Sequence, residues 1–397
     1  MNFDRVKKYI YILSAVVLLG LLGFIAYQYF FAGRGAGEPT EGEATGRLPT
    51  TTDGLPRPTA GENRFVSLKP GEEFAVGEEQ KLYRITDFPV ISPALAKDLD
   101  EILFYKKDGG NLVSSDFTGK FQEELSNITI LGMVKAVWSP ARDRAAVCYI
   151  DLDQETLKGF LHVGTSSVTT LPANTRSSSW SPDGKSFAYL ARDGDFFSLV
   201  ITDSSGKKQK AEFRTPISDA YINWFAPNKI SFHTAPSGPA AGHLFVWSRP
   251  TGAFDKIAGP LNGLIPLWSP DGKSVLVFST LFGGSDIKLS VMSDAGKKLL
   301  ETSLKTIPQK CVWASPQEIY CAVPSLFPPG ATLPDDYLRG EINTSDRLMV
   351  LDLERETVSE IFGEGDFDMA DLSLAQAKDW IFWVDRKDGS LWSLKLK

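Results

Sequence analysis

A chain of 397 residues that is 43% hydrophobic and 23% charged is long enough for one large core or two smaller ones, and its balance is that of a globular protein. A net charge of −7 with no basic block to offset it argues against a nucleic-acid partner. Three cysteines cannot supply a disulfide framework, and 34 glycines and 24 prolines with few stretches of 3.6-residue period lean toward an all-β fold.

The first element predicted is a helix. Residues 9–31 form 23 positions without a charge, enough to span a hydrocarbon core. Tyr9 and Tyr11 sit at one end and Tyr27, Tyr29, Phe30 and Phe31 at the other, the belt expected at two membrane interfaces. Arg5, Lys7 and Lys8 precede the run and only Arg34 follows closely, so the charge bias puts residues 1–8 in the cytoplasm and the rest outside. A cleaved signal peptide is the competing reading. The run is too long for one, and residues 27–31 make a poor small-residue cleavage site. The expectation is a single-pass anchor in a bacterial cell membrane.

Residues 32–79 read as a tether. Gly, Pro and Thr supply 17 of the 30 residues from 33 to 62, and no apolar period survives there. As a flexible coil that stretch spans about 30 Å. Apolar positions at Phe65, Val66, Leu68, Phe74 and Val76 could pack on the edge of the folded domain.

From residue 80 the chain repeats. Trp138, Trp180, Trp224, Trp268 and Trp313 stand at intervals of 42, 44, 44 and 45 residues, each followed by a Ser-Pro or Ala-Pro turn. Two copies are complete: Trp180-Ser181-Pro182-Asp183-Gly184-Lys185 and Trp268-Ser269-Pro270-Asp271-Gly272-Lys273. Pro presets φ, Asp bonds its own backbone and Gly accepts positive φ, so the stretch is a hairpin turn with an aromatic at its neck. A degenerate copy at Ser92-Pro93 and another around Leu372-Ser373-Leu374 bring the total to seven. Each copy has room for four short strands, the content of one propeller blade. The last copy offers only three before residue 397, while an extra strand, residues 81–86, precedes the first. If that strand completes the last blade, no edge is left unpaired. The fold class expected is an all-β, seven-bladed β-propeller over residues 80–397, with the N-terminal strand closing the last blade.

These W-S-P-D-G-K hairpins resemble those of TolB-type and WD40-like bacterial β-propellers, a likeness that covers residues 80–397. It implies a fold, not an activity. The chain departs from the TolB pattern by its anchor and by having no room for a separate N-terminal α/β domain, so TolB partners are not carried over. Similar propellers precede the catalytic domain of prolyl-oligopeptidase-like enzymes; the expectation here is that no hydrolase domain follows residue 397.

Candidate chemistry is sparse. Gly184-Lys185-Ser186 and Gly272-Lys273-Ser274 imitate the end of a phosphate loop, but the earlier glycine is Ser179 or Leu267, so the turn reading wins. No G-x-S-x-G nucleophile elbow occurs. His233 and His243 flank one hairpin loop and could begin a metal site, and His162 stands elsewhere; a third ligand is missing, so neither metal nor cofactor is expected. Asp366, Asp368 and Asp371 lead into the last innermost strand and are candidate channel-mouth acids, although solvated loop carboxylates would look the same. Cys311 and Cys321 stand five residues either side of Pro316, opposed on neighbouring strands, where a bridge forms if the geometry permits. Residues 323–346 are the one long interruption. Pro334 before Asp335 and Asp336 starts a short helix well. Two readings stand for Asp335, Asp336, Tyr337, Leu338 and Arg339: an exposed partner loop, or a plug folded over the channel mouth. Propeller geometry further puts residue 80 on the face opposite this insertion, which would then point away from the membrane.

The function expected is a non-catalytic scaffold binding another envelope protein or a surface ligand. The alternative is a hydrolase or lyase acting on polysaccharide or peptide in the channel. A signalling role ranks last, because eight residues before the helix leave no room for an output domain.

Overall fold

The computed structural model describes residues 65–396, apart from 66, 77–78, 97–99, 164–166, 176, 218 and 376. The expected anchor at 9–31 and most of the tether lie outside the described residues. No helix among the described residues is long and apolar enough to cross a membrane.

Strands β1 (Glu73–Val76) and β2 (Gln80–Arg84) open the fold as a hairpin. The first sheet holds β3 (Val90–Leu95), β4 (Glu101–Lys106), β5 (Leu112–Asp116) and β6 (Gln122–Glu124). The second holds β7 (Met133–Trp138), β8 (Arg144–Asp151), β9 (Thr156–Val163) and β10 (Ser167–Thr170). The third holds β11 (Ser178–Trp180), β12 (Ser186–Asp193), β13 (Phe196–Asp203) and β14 (Lys210–Thr215). A seven-stranded sheet comes next: β15 (Ala220–Ala226), β16 (Lys229–Thr234), β17 (Ala241–Ser248), β18 (Phe254–Trp268), β19 (Ser274–Thr280), β20 (Lys288–Ser293) and β21 (Lys298–Glu301). Another four-stranded sheet holds β22 (Cys311–Ser315), β23 (Glu318–Pro324), β24 (Asp346–Asp352) and β25 (Thr357–Phe362). The last sheet is built on β26 (Met369–Leu374), β27 (Trp380–Asp385) and β28 (Leu391–Lys395), in the order β1-β2-β28-β27-β26. Adjacent innermost strands are spatial neighbours from β22 to β26, on to β3, β7, β11 and β15. The arrangement is a β-propeller.

The seven-stranded sheet arises because β18 is 15 residues long and does two jobs. Its first part pairs with β17, Trp247 opposite Phe254, and its last part with β19, Trp268 opposite Val275. No turn separates the outer strand of one repeat from the inner strand of the next. Gly263, at φ 68°, accompanies the register shift at this junction.

The repeated motif has two physical jobs. Within the turn, the Ser181 hydroxyl donates to Asp183 Oδ1 at 2.7 Å and accepts the Ser186 N–H at 2.9 Å, while Asp183 Oδ1 accepts the Lys185 N–H at 3.1 Å. Ser269, Asp271, Lys273 and Ser274 repeat the pattern at 2.7, 3.0 and 3.1 Å. Between sheets, the indoles act as stitches. Trp138 Nε1 donates to Ser92 O at 2.8 Å, Trp180 Nε1 to Val137 O at 2.8 Å and Trp313 Nε1 to Leu267 O at 3.1 Å. Each bond reaches the innermost strand of the preceding repeat, which is why the aromatic recurs with the period. Trp268 Nε1 reaches the preceding repeat's second strand instead, donating to Ser231 Oγ at 3.0 Å, and Trp224 differs altogether, donating at 3.4 Å to Pro227 O of its own turn. Trp180→Phe keeps the ring but takes the indole N–H from the half-buried Val137 carbonyl, and is expected to cost about 1 kcal/mol in urea unfolding. Trp224→Phe should cost clearly less; equal costs would count against the stitching.

β2 lies antiparallel to β28, with Leu82 opposite Leu394, Tyr83 opposite Ser393 and Arg84 opposite Trp392. The N-terminal strand therefore closes the last sheet. One expectation needs correction. The folded part does not begin at residue 80: β1 adds a fifth strand, with Glu73 opposite Tyr83, and Phe65 is fully buried. Phe65 stacks on Phe367 with centroids 5.8 Å apart, and Gly365, at φ 81°, lies so close to both rings that a Cβ would clash. Apolar burial of this size holds the segment down. The expected position of residue 80 holds. Gln80 does lie at the end of the last sheet opposite the insertion, since Lys81 pairs with Lys395 where β28 finishes. But β1 doubles back, and Phe65 packs beside the segment entering β26, whose Phe367 O accepts the Asp346 N–H at 2.9 Å. Phe65, the first described residue, thus lies on the insertion's face, and the tether before it lies outside the described residues.

Candidate functional site at the insertion

Residues 325–345 connect β23 to β24 and contain the helix α1 (Asp335–Leu338). Pro334 precedes it, and Asp335 and Asp336 occupy its first turn. Both carboxylates hold backbone in place. Asp336 Oδ2 accepts the Thr332 N–H at 2.7 Å, and Asp335 Oδ2 accepts the Gly238 N–H at 2.7 Å from the β16–β17 loop. The Leu333 N–H donates at 3.1 Å to Gly284 O in the β19–β20 loop. Arg386, in the β27–β28 turn, lies 3.9 Å over the Tyr337 ring and donates from Nη2 to Tyr337 O at 2.9 Å. The insertion therefore touches loops from both halves of the seven-stranded sheet and from the last sheet.

Tyr337 is buried, at 2% exposure. Its expected role as an exposed partner residue does not hold, because the ring fills the space between two cations, Lys310 lying 4.8 Å from its centroid. Leu338 and Arg339 stay at the surface.

Beneath the ring lies a site that the sequence did not announce. Lys310, at the end of a 3-10 turn just before β22, is wholly buried. Its ammonium donates to Asp346 Oδ2 at 2.5 Å, Asp368 Oδ1 at 2.6 Å and Met369 O at 3.2 Å. Asp368 also accepts from Tyr337 Oη at 3.0 Å and from the Thr344 hydroxyl and N–H at 3.0 and 3.2 Å. All three ammonium protons have partners and both acids are buried, so the cluster is a lock rather than an open acid–base site, although Asp346 Oδ1 is buried without a hydrogen-bond partner. Burial pushes the Asp346 carboxyl up, against the pull of Lys310. The Tyr337 hydroxyl is raised chiefly by burial and then by the charge of Asp368.

The three candidate acids take separate roles. Asp366 pairs with Lys387 at 2.5 Å, and Asp368 belongs to the lock. Asp371 sits at the bulge of β26 with φ 51°. Its side chain reaches solvent but is walled in by protein, and that desolvation raises its carboxyl against the opposing charge of Arg386. His162 belongs to β9, while His233 and His243 belong to β16 and β17. His233 does not face His243 directly: it pairs with Leu244 and stacks on Tyr221 at 5.4 Å, and burial lowers it to about 4. Among the described residues no three His, Cys, Asp or Glu side chains gather as a metal site. Cys311 and Cys321 are directly opposed in the register, and their sulfurs are bonded.

Asp385 adds a pH term. It is 4% exposed, and its Oδ1 accepts the Asp368 and Lys387 N–H groups at 3.1 and 3.2 Å. Burial, the largest influence, pushes its carboxyl from 3.8 to about 6. Between those values the folded chain binds more protons than the unfolded one. Its stability therefore falls as pH rises from about 4 to just above 6, by at most about 3 kcal/mol from this group. Asp385→Asn keeps an acceptor oxygen and is expected to flatten that slope, raising stability at neutral pH. Urea midpoints at both ends of the window check it; an unchanged slope would contradict it.

No family model matches the chain, and no curated protein does. Solved structures do match in fold. Oligogalacturonate lyase from Vibrio parahaemolyticus superimposes with a TM-score of 0.58 at 10% identity, over 82% of this chain and 96% of that one. The β-propeller domain of the Trilobed protease from Pyrococcus furiosus gives 0.53 at 13% identity, over 77% and 94%. The WD40 repeats of RRP9 give 0.51 at 9% identity, over 82% and 100%. At such identities the likeness concerns the fold alone, and the fold it shows is the β-propeller.

Proposed function

We propose that this chain is a seven-bladed propeller, held at a cell membrane by residues 9–31, that acts as a non-catalytic scaffold binding an envelope protein or surface ligand through its insertion face. Seven blades result if β18 is shared between two of them. The observation that carries the binding reading is on that face. Phe282 in the β19–β20 loop is 80% exposed, Leu326 in the insertion 74% and Leu338 on α1 43%. Rigid loops presenting apolar side chains to water are a usual form of protein-binding surface. The WD40-like fold of the structural relatives agrees with such a role. The lyase relative favours the alternative, a channel enzyme on polysaccharide. The closed Lys310 lock speaks against using its acids as catalysts.

A photo-crosslinker at Phe282 or Leu338 in the full chain, in intact cells, is expected to trap one defined partner. The same group at Asp379, at the other end of the last sheet, should trap none. Phe282→Asp should abolish the adduct. Turnover of a polysaccharide or peptide by the purified protein, lost on Asp371→Asn, would overturn the scaffold reading.

A further inference from the structure

A cavity of about 720 Å³ opens between the first and second sheets, far in sequence from the insertion. That volume suits a drug-sized ligand. Its walls are mainly apolar: Leu103, Leu112 and the stacked rings of Tyr105 and Trp138, 5.4 Å apart. Leu125 and Ile128, each 41% exposed, also line it.

Two polar atoms in this lining are buried without a partner, the Tyr105 hydroxyl and His162 Nε2. Tyr105 is 2% exposed, and a buried hydroxyl left unpaired costs stability unless something else bonds it. The charged groups are also unequal. Glu124 is held by Lys106 at 3.0 Å and by Asn111 at 2.8 Å. Asp143 is held by Arg144 at 2.7 Å. Arg142 has only two carbonyl acceptors, Leu95 O and Ser139 O, both at 3.3 Å, and no carboxylate within 4.0 Å among the described residues. A half-buried guanidinium with no counter-charge among the described residues, lining the same cavity as two donors without acceptors, is a recognition set for an anion. Burial lowers His162, so it stands neutral at pH 7 and can donate from Nε2.

We propose that this cavity binds a monocarboxylate with an apolar body, Arg142, Tyr105 and His162 taking the carboxylate and Leu103, Leu112 and Trp138 the apolar part. The test uses 4-phenylbutanoate, soluble and non-micellar, titrated calorimetrically into the full chain, with 4-phenylbutan-1-ol as the uncharged match. Saturable one-to-one binding of the acid is expected, with the alcohol weaker by at least about tenfold, the usual worth of a charged hydrogen bond. Arg142→Gln and Tyr105→Phe should each weaken the acid by about five- to tenfold or more. Tyr105→Phe removes an unpartnered hydroxyl and keeps the ring stack, so it should fold at least as well as the parent. It decides the matter even if Arg142→Gln loses stability. Equal binding of acid and alcohol, unchanged affinity in Tyr105→Phe, or no saturation up to about 1 mM, a free energy near 4 kcal/mol, would each overturn the proposal.

Discussion

Replacing Lys310 by methionine is expected to cost the folded chain about 3–5 kcal/mol, the usual penalty for leaving buried charges without their partner. Asp346 and Asp368 both have side-chain exposures of 0%, so neither can turn to water when the ammonium is gone. The damage should spread to the insertion, because Asp368 also holds Tyr337 and Thr344. Urea unfolding measures the cost, and proteolysis between residues 325 and 345 reports the loosened loop. The triple change Lys310→Met, Asp346→Asn, Asp368→Asn keeps the acceptor oxygens while removing every charge. It is expected to recover most of the loss. A single-variant cost below about 1 kcal/mol, the range of an exposed ion pair, would mean the lock is not as buried as the geometry makes it.

Removing the closing strand is expected to do more. A chain starting at residue 87 lacks Phe65, Leu82, Tyr83 and Ile85, all buried. At roughly 1.5–3 kcal/mol per large apolar side chain, that loss approaches the whole stability of an ordinary domain. It also bares the edge of β28, where Trp392 and Leu394 are buried against β2 and its neighbours. An unpaired, apolar edge is an invitation to aggregate. The truncated chain should elute as aggregate in gel filtration. A peptide of residues 65–86 supplied during refolding should rescue a soluble fraction by adding the missing strand. A well-folded truncated monomer would contradict the closure.

The sequence carried the fold because its signals are local. Trp180, Pro182, Asp183 and Gly184 fix a hairpin within five residues, and the same turn chemistry recurs at Trp268. Closure was legible by counting strands at the two ends. The candidate site was much less so. Lys310 meets Asp346 and Asp368 across 36 and 58 residues, and nothing nearby marks it as buried rather than solvated. Tyr337 looked equally suited to water or to a plug, and the choice was made by Arg386, 49 residues away. The shared strand β18 escaped notice because a missing turn leaves no mark in a pattern read from turns. The hairpin partner of β2 was hidden in a segment whose few apolar positions, Phe74 and Val76 among them, resembled the tether before it. The cavity escaped for a similar reason: Tyr105, Arg142 and His162 come from two sheets whose contact no local motif encodes.

The ring closed by its own first strand is tested most directly by a cysteine pair at Lys81 and Lys395, which stand opposite each other on β2 and β28 and are only partly buried. In the Lys81→Cys/Lys395→Cys chain, mild oxidation should join the two introduced thiols nearly completely within the monomer, as peptide mass mapping would show, and should raise the urea midpoint. Lys81→Cys with Lys387→Cys, whose second site lies at the far end of the last sheet, should give no bridge. Failure of the first pair to join, or equal joining by the second, would contradict the closed ring.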